Sequence, residues 1–352
     1  MKQPSTAAPS TPVAPQIPRA GGVAEVAPGV LWVRLALPLA LDHVNVWLLE
    51  DGEGWTLVDT GLSNEGTRDA WAALEREAMG GRPLRRIVCT HYHPDHIGLS
   101  GWLASRHGAE LWCSRTEWLS ARFYSTQPLG EARAVFRRFY RRAGVARREM
   151  EPLVEQARTY KQWVPQVPPS HRRLQDGDEL EAGRTRWRVV VGRGHAPEHV
   201  CLHAPALRLF VSGDQVLLSI TPNVSVWPNE PEADPVGDFL QSGAELRSRV
   251  PDDVLVLPSH GQPFAGLHAR LDALATHHRQ RLEEASAACA EPRTAWEVTR
   301  ALFPRELDPH QSTFAVGEGL AHLNHLVRAG MVRREPREGR PDLFVRADRL
   351  AT

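Results

Sequence analysis

Between Gly22 and Gly61 the apolar positions come in short runs broken by turn-forming residues, the pattern of strands joined by tight turns. Residues 30–35 and 45–50 predict two strands, Asp51-Gly52-Glu53-Gly54 a hairpin turn, and residues 55–58 the strand that follows it. The spacing then lengthens: over residues 64–78, Trp71, Leu74 and Ala78 fall on one face with charges elsewhere, which predicts a helix. Residues 84–89 read as a strand with β-branched residues near its end, residues 98–104 as the start of a helix, and residues 110–113 as another strand. Between Glu117 and Lys161 arginines and aromatics replace the strand formers, so this stretch is expected to be a helical insertion, closed by the prolines of residues 165–169. Strands resume over residues 180–182, 186–191, 200–203 and 208–211. Asp234-Pro235, an N-cap followed by proline at the first helical position, opens a helix running to about Arg249, and residues 254–258 form a last buried strand.

From about Leu267 the periodicity is helical. Residues 271–289 predict one amphipathic helix, Thr294-Ala295-Trp296-Glu297 is a capping box that opens a second, and residues 320–329 form a third, ended by Gly330. Two short apolar runs, residues 331–334 and 343–345, flank a polar segment, and three helices plus a hairpin point to a winged helix. The expected division is therefore a leader over residues 1–21, rich in Pro, Ala, Ser and Thr and read as disordered; a main domain over 22–266, with its insertion at about 117–170; and a small C-terminal domain over 267–352.

Composition changes this picture little. Lys plus Arg and Asp plus Glu both number 42, so a globally basic nucleic-acid binder is disfavoured. Cys89, Cys113, Cys201 and Cys289 are scattered without a C-x-x-C pair, as in a reduced protein. No run reaches eighteen apolar residues and no secretory signal is visible, so the expected location is the cytoplasm, without a membrane partner.

The chemistry is concentrated where the strand at residues 84–89 runs out. Thr90-His91-Tyr92-His93-Pro94-Asp95-His96 places four groups able to bind a metal in an H-x-H-x-D-H pattern, and imidazole with carboxylate suits a first-row divalent ion, zinc above all. Three more ligand-type residues follow strand-like runs: His195 after residues 189–194, Asp214 after 209–213, and His260 after the last buried strand. Seven such groups exceed the needs of one tetrahedral ion and suit two ions with a water between them. Tyr92 reads as a packing residue, His199 and His203 as structural or peripheral, His277-His278 as solvated, and His322 and His325 as half-buried packing.

His91-x-His93-x-Asp95-His96, with Gly194-His195, Gly213-Asp214 and Ser259-His260-Gly261, resembles the metallo-β-lactamase superfamily of hydrolases over about residues 22–264, and Asp59-Thr60-Gly61 matches its early acidic turn. The resemblance implies an α/β fold, an αββα sandwich carrying the helical insertion and followed by the small winged-helix domain found in a branch that includes glyoxalase-II-like proteins and lactamase-beta-like ribonucleases. It also implies one ion on His91, His93 and His195, a second on Asp95, His96 and His260, Asp214 bridging them, and Asp59 fixing the tautomer of a ligand imidazole. The ions are expected to be zinc, with iron or manganese compatible with a ligand set that lacks cysteine.

The implied reaction is hydrolysis by a hydroxide held between the ions, with Asp95 as a transient proton acceptor and Asp59 in support. No G-x-S-x-G elbow is present. In this superfamily such insertions tend to overhang the metals, and a basic, aromatic one suits an acyl-CoA-like or glyoxalase-II-like thioester, or RNA through phosphate contacts and stacking. The expected partner is a small-molecule, CoA-type thioester or ester. An RNA phosphodiesterase is the alternative, a lactonase comes behind it, and a non-enzymatic regulator is disfavoured because every ligand position is filled. Gly194-His195-Ala196-Pro197-Glu198-His199 is similar to the G-H-x-P-G-H of the glyoxalase-II group, with Glu198 in place of the second glycine. That departure puts glutathione thioesters in doubt.

Overall fold

The computed structural model describes residues 11, 12 and 17–347. In chain order its first strands are β1 (Thr11–Pro12), β2 (Val23–Ala27), β3 (Val30–Ala36), β4 (His43–Asp51) and β5 (Gly54–Val58). Helix α1 (Glu65–Glu77) follows, capped at Asn64, whose side chain accepts the Thr67 N–H. Next come β6 (Leu84–Val88), the short α2 (Pro94–Ile97), α3 (Ser100–His107) and β7 (Glu110–Cys113). The arginine-rich stretch is helical as expected: α4 (Arg115–Thr126), α5 (Leu129–Ala143), α6 (Arg147–Glu155) and α7 (Thr159–Trp163). After β8 (Arg172–Arg173) come β9 (Glu179–Ala182), β10 (Thr185–Gly192), β11 (His199–Ala204) and β12 (Leu209–Gly213). Helix α8 (Pro235–Arg249), β13 (Leu255–Pro258), β14 (Phe264–Ala265) and the tail complete the chain: α9 (Leu267–Ala288), α10 (Ala295–Leu302), α11 (Pro309–Arg328), β15 (Val332–Glu335) and β16 (Leu343–Arg346).

The strands form two seven-stranded sheets, ordered β2-β3-β4-β5-β6-β7-β8 and β1-β14-β13-β12-β11-β10-β9, and a separate β15–β16 hairpin. Pairing is antiparallel except at β5–β6, β6–β7, β7–β8 and β12–β13. Thr11–Pro12 pairs with β14, and most of the segment read as a disordered leader lies outside the described residues.

Strand alternation decides which side chain enters which layer. Trp32, Trp47, Leu49 and Val58 from the first sheet share a core with Trp187, Val189, Leu202, Val211 and Leu257 from the second. Their neighbours along the strands, Val33, Val46, Leu48 and Leu57, face the other way and share a core with Trp71 and Leu74 of α1 and Leu103 of α3. Each fully buried side chain of this size contributes on the order of 1.5–3 kcal/mol. The result is two sheets face to face with helices against the first.

The chain divides into two compact units. The first draws on residues up to Thr126, Tyr160–Pro222 and Ala244–Leu271, and holds both sheets. The second draws on Gln127–Thr159, Asn223–Gly243 and the chain from Asp272 onward. Within it the Thr294 capping box is formed, and Asp308 caps α11 by accepting the Gln311 N–H. Phe239 of α8 packs edge-on to His278 of α9, with ring centroids 5.1 Å apart. His278 is therefore buried, not solvated as the polar run around it implied: Leu271, Leu274, His278 and Ala285 share the covered side of α9. His322 is likewise fully buried, and His325 is half-buried. No helix among the described residues is long and apolar enough to cross a membrane.

Candidate metal centre

Five strands of the first unit end at the site. Asp59 follows β5, His91 follows β6, His195 follows β10, Asp214 follows β12 and His260 follows β13. The registers Val58↔Val88 and Gly213↔Pro258 bring these strand ends level in pairs, so the loops leaving them meet. Carboxyl ends of parallel strands are where α/β sheets place their ligands. Gly213 makes the sharpest turn. Its φ is +53°, and a β-carbon there would lie 2.4 Å from the His199 ring.

All seven residues expected to be ligands come together. His91, His93 and His195 form one group, Asp95, His96 and His260 another, and Asp214 joins His91 and His96 in a third; the ligand atoms within each group lie within 4.8 Å of one another. His91 Nε2 is 2.9 Å from His93 Nδ1 and 3.2 Å from His195 Nε2. His260 Nε2 is 3.4 Å from Asp95 Oδ2 and His96 Nε2 is 3.6 Å from the same oxygen. Asp214 reaches both sides: Oδ2 lies 3.6 Å from His195 and from His96, and Oδ1 lies 3.4 Å from His260.

The residues fit a divalent ion on three counts. Two donors held at about 2.0–2.1 Å by a tetrahedral ion sit about 3.3–3.4 Å apart, close to most of these separations. His96 Nε2 and Asp214 Oδ1 are buried without a hydrogen-bond partner, although both are strong polar groups. The charge balance agrees. Desolvation pushes His96 toward the neutral form, but Asp95, Asp214 and Asp59 together overcome it and raise its pKa well above the ordinary value, so the protein's field favours a cation at this point. Desolvation is the largest influence on His91 and lowers it well below the usual range, with the surrounding imidazoles adding to the effect, so its ring is neutral and free to donate a lone pair.

The tautomers follow from the partners outside this group. His96 Nδ1 is 2.8 Å from Asp59 Oδ2, and His260 Nδ1 is 2.7 Å from the carbonyl of His43, so each ring donates there and leaves Nε2 bare. His91 Nδ1 is 2.9 Å from the Thr90 hydroxyl, which donates in turn to Asp59 at 2.9 Å. Asp59 also accepts the Thr90 N–H at 2.8 Å. It thus serves one histidine from each group of three, and it does so from a left-handed conformation, φ +63°, that aspartate tolerates better than most residues. Asp59→Asn would face His96 Nδ1–H with an amide donor. The expected outcome is a 10- to 100-fold loss of metal affinity in a chelator competition; unchanged affinity would reduce Asp59 to an ordinary turn residue.

Three supports were not read from the sequence. His199, expected to be structural or peripheral, lies in β11 with its ring stacked on His91, centroids 4.8 Å apart, and its Nε2 accepts the Asp214 N–H at 3.1 Å. Glu117 and Asn45 are buried in strand- and helix-like contexts that give no hint of a role. Asn45 donates to the carbonyls of Pro258 and Gly261 on either side of His260. Tyr92 packs as expected, stacked on Tyr124 with ring centroids 5.6 Å apart and edge-on to His93 with ring centroids 4.7 Å apart.

Residues 39–261 match the family described as Metallo-beta-lactamase superfamily, and residues 282–347 the one described as Metallo-beta-lactamase-like, C-terminal domain. A crystal structure of a beta-lactamase domain protein from Burkholderia ambifaria is 41% identical, with a TM-score of 0.86 over 95% of this chain and 97% of that one. The probable metallo-hydrolase YqjP of Bacillus subtilis (strain 168) is 25% identical over 315 residues, 84% of this chain and 92% of that protein. The acyl-coenzyme A thioesterase MBLAC2 of Gallus gallus is 26% identical over 265 residues, 71% of this chain and 83% of that protein. With its sheets, its converging histidines and carboxylates and these matches, the chain belongs to the metallo-beta-lactamase superfamily.

Proposed function

We propose that this metallo-hydrolase cleaves thioesters or small esters, using two divalent ions held by His91, His93, Asp95, His96, His195, Asp214 and His260. The observation that carries the reading is Asp214, whose two oxygens face histidines from both groups of three. Zinc suits the ligand set, and iron or manganese is compatible with it. Such ions supply Lewis acidity toward a carbonyl oxygen and bring the pKa of water near neutrality. The chain's own residues set the stage: Asp59 and the His43 carbonyl hold the imidazole tautomers, and Asp95, its side chain 19% exposed, is placed to take up a proton as the ester bond breaks.

Aromatic side chains beside the site suit an apolar acyl group: Tyr92 packs against His93 and stacks on Tyr124. Hydrolysis of acyl-coenzyme A by the Gallus gallus relative supports the same substrate class. RNA cleavage is the second reading, resting on the arginine-rich insertion. Against it, Arg133, Arg137 and Arg142 pair with Glu155, Glu151 and Asp342 at 2.6, 2.9 and 3.2 Å, which reduces the charge free to attract phosphates.

The test is a hydrolysis panel run on the zinc-loaded protein: acyl-CoA and glutathione thioesters, lactones, a β-lactam and single-stranded RNA. An Asp95→Ala, His96→Ala double variant serves as the blank. Acyl-CoA turnover that disappears in the blank is the expected result. Cleavage of RNA alone would replace the thioesterase reading with the nuclease one.

A further inference from the structure

Glu117 is a fully buried carboxylate in the first turn of α4, away from the seven ligand residues in sequence and outside their groups. Such a group is costly to bury unless something holds its charge. Here two backbone donors do so. Oε2 accepts the Tyr92 N–H at 3.0 Å and Oε1 accepts the Glu198 N–H at 2.6 Å. Tyr92 lies between His91 and His93. Glu198 lies three residues after His195. One carboxylate therefore ties together the two loops that supply His91, His93 and His195.

Glu198 closes the arrangement from the other side. Its carboxylate accepts the Thr116 N–H at 2.8 Å, satisfying a free donor at the start of α4, and its carbonyl accepts the Ser114 hydroxyl at 2.7 Å. The Tyr160 hydroxyl adds a bond to the Tyr92 carbonyl at 2.6 Å. The residue that departs from the glycine of the G-H-x-P-G-H pattern is thus the one that fastens α4 to the His195 loop.

We propose that Glu117 is a positioning residue for the His91, His93 and His195 subsite, acting through the backbone of both loops, and that Glu198 locks α4 so that this carboxylate stays in register. The proposal rests on the reading of these three histidines as metal ligands. Burial pushes Glu117 up to about 7, and the N–H groups of Glu198 and Tyr92 act against that shift.

Glu117→Gln keeps the shape but offers one acceptor oxygen and one donor, so one of the two N–H groups loses its partner. Stepwise zinc binding, followed by competition with a chromophoric chelator, is the readout. The expected result is a 10- to 100-fold weaker affinity for one ion, with the other changed less than about threefold, because the two braced amides flank His91, His93 and His195, whereas Asp95 and His96 lie in α2 and His260 on the separate loop after β13. Zinc binding by the unaltered chain tests the metal reading itself: if it binds none, that reading fails. If it binds two ions and Glu117→Gln binds both as tightly, the positioning role alone is overturned. Hydrogen exchange on the metal-free unaltered protein gives an independent test that survives a folding failure of the variant. Slow exchange at both the Tyr92 and Glu198 amides is required, and free-loop rates at either would sink the proposal.

Discussion

Replacing Asp214 by alanine is expected to lower acyl-thioester hydrolysis by at least about 10³-fold, on the order of 4 kcal/mol in the barrier. The reason is geometric. Among the candidate carboxylates, Asp95 faces one group of histidines, whereas Asp214 lies 3.4–3.6 Å from His96, His195 and His260 at once. Its own position is fixed by the left-handed turn at Gly213 and by the N–H that it donates to His199. Removing the carboxylate also removes one of the charges that draw a cation to His96. Metal content is therefore expected to fall from two ions per chain to about one, measured by elemental analysis alongside steady-state turnover. Asp214→Asn keeps the shape without the charge and is expected to fall between the two. A variant Asp214→Ala that kept a tenth of the activity would mean that the two groups of histidines work independently, and the two-ion reading would have to be abandoned.

The seven candidate ligands were legible in the sequence because they obey local rules. His91, His195, Asp214 and His260 sit within three residues of a strand end, His93, Asp95 and His96 follow His91 in one short run, and the last three of those strand ends carry a glycine or serine beside the candidate. Two helix starts were legible for the same kind of reason: Asn64 and Thr294 cap their helices through side chain to backbone bonds that span three residues. The third tail helix, expected from residue 320, starts eleven residues earlier at Pro309, where Asp308 caps it in the same way. What could not be read depends on contacts between distant stretches. Glu117 is 25 positions from Tyr92 and 81 from Glu198, and nothing in Arg115-Thr116-Glu117-Trp118 announces a buried carboxylate. His199 was set aside correctly as a strand residue, yet the strand carries it under Asp214. His278 was misplaced because the charges flanking it read as a wet helix face, while the side facing α11 and Phe239 is closed.

That closed side carries the second large effect, a loss of stability of the second unit in acid. His322 Nδ1 is 2.8 Å from the Glu318 carbonyl and donates to it, which leaves Nε2 as an acceptor for His278 Nδ1 at 3.3 Å. Both rings are therefore neutral in the fold. Desolvation is the main cause that lowers His278 to about 3 and His322 to about 4; His322, His277, Arg281 and His325 add to the effect on His278, while for His322 the Glu318 carbonyl partly offsets it. In the unfolded chain both return to about 6.5. Above that pH neither state carries the proton and the pair has no effect on the slope. As the pH falls from 6.5 toward 4, the unfolded chain takes up two protons that the fold refuses, and each costs about 1.4 kcal/mol per pH unit. Glu318 works in the other direction. Burial raises it to about 7, so between 7 and 4.5 the fold takes up one proton that the unfolded chain does not. The net loss attributable to the three groups is about one proton's worth. His278→Leu removes one refusing group. It is expected to weaken the unit by about 1–2 kcal/mol at pH 7, through the unpaired His322 acceptor, and to flatten the acid slope by about 1.4 kcal/mol per pH unit, close to 3 kcal/mol by pH 4.5. Hydrogen exchange within α11, compared between pH 7.0 and 4.5 in both chains, isolates this unit from the metal centre. Parallel pH profiles for the two proteins would mean that His278 is already charged in the fold, and the tautomer chain from Glu318 through His322 would be wrong.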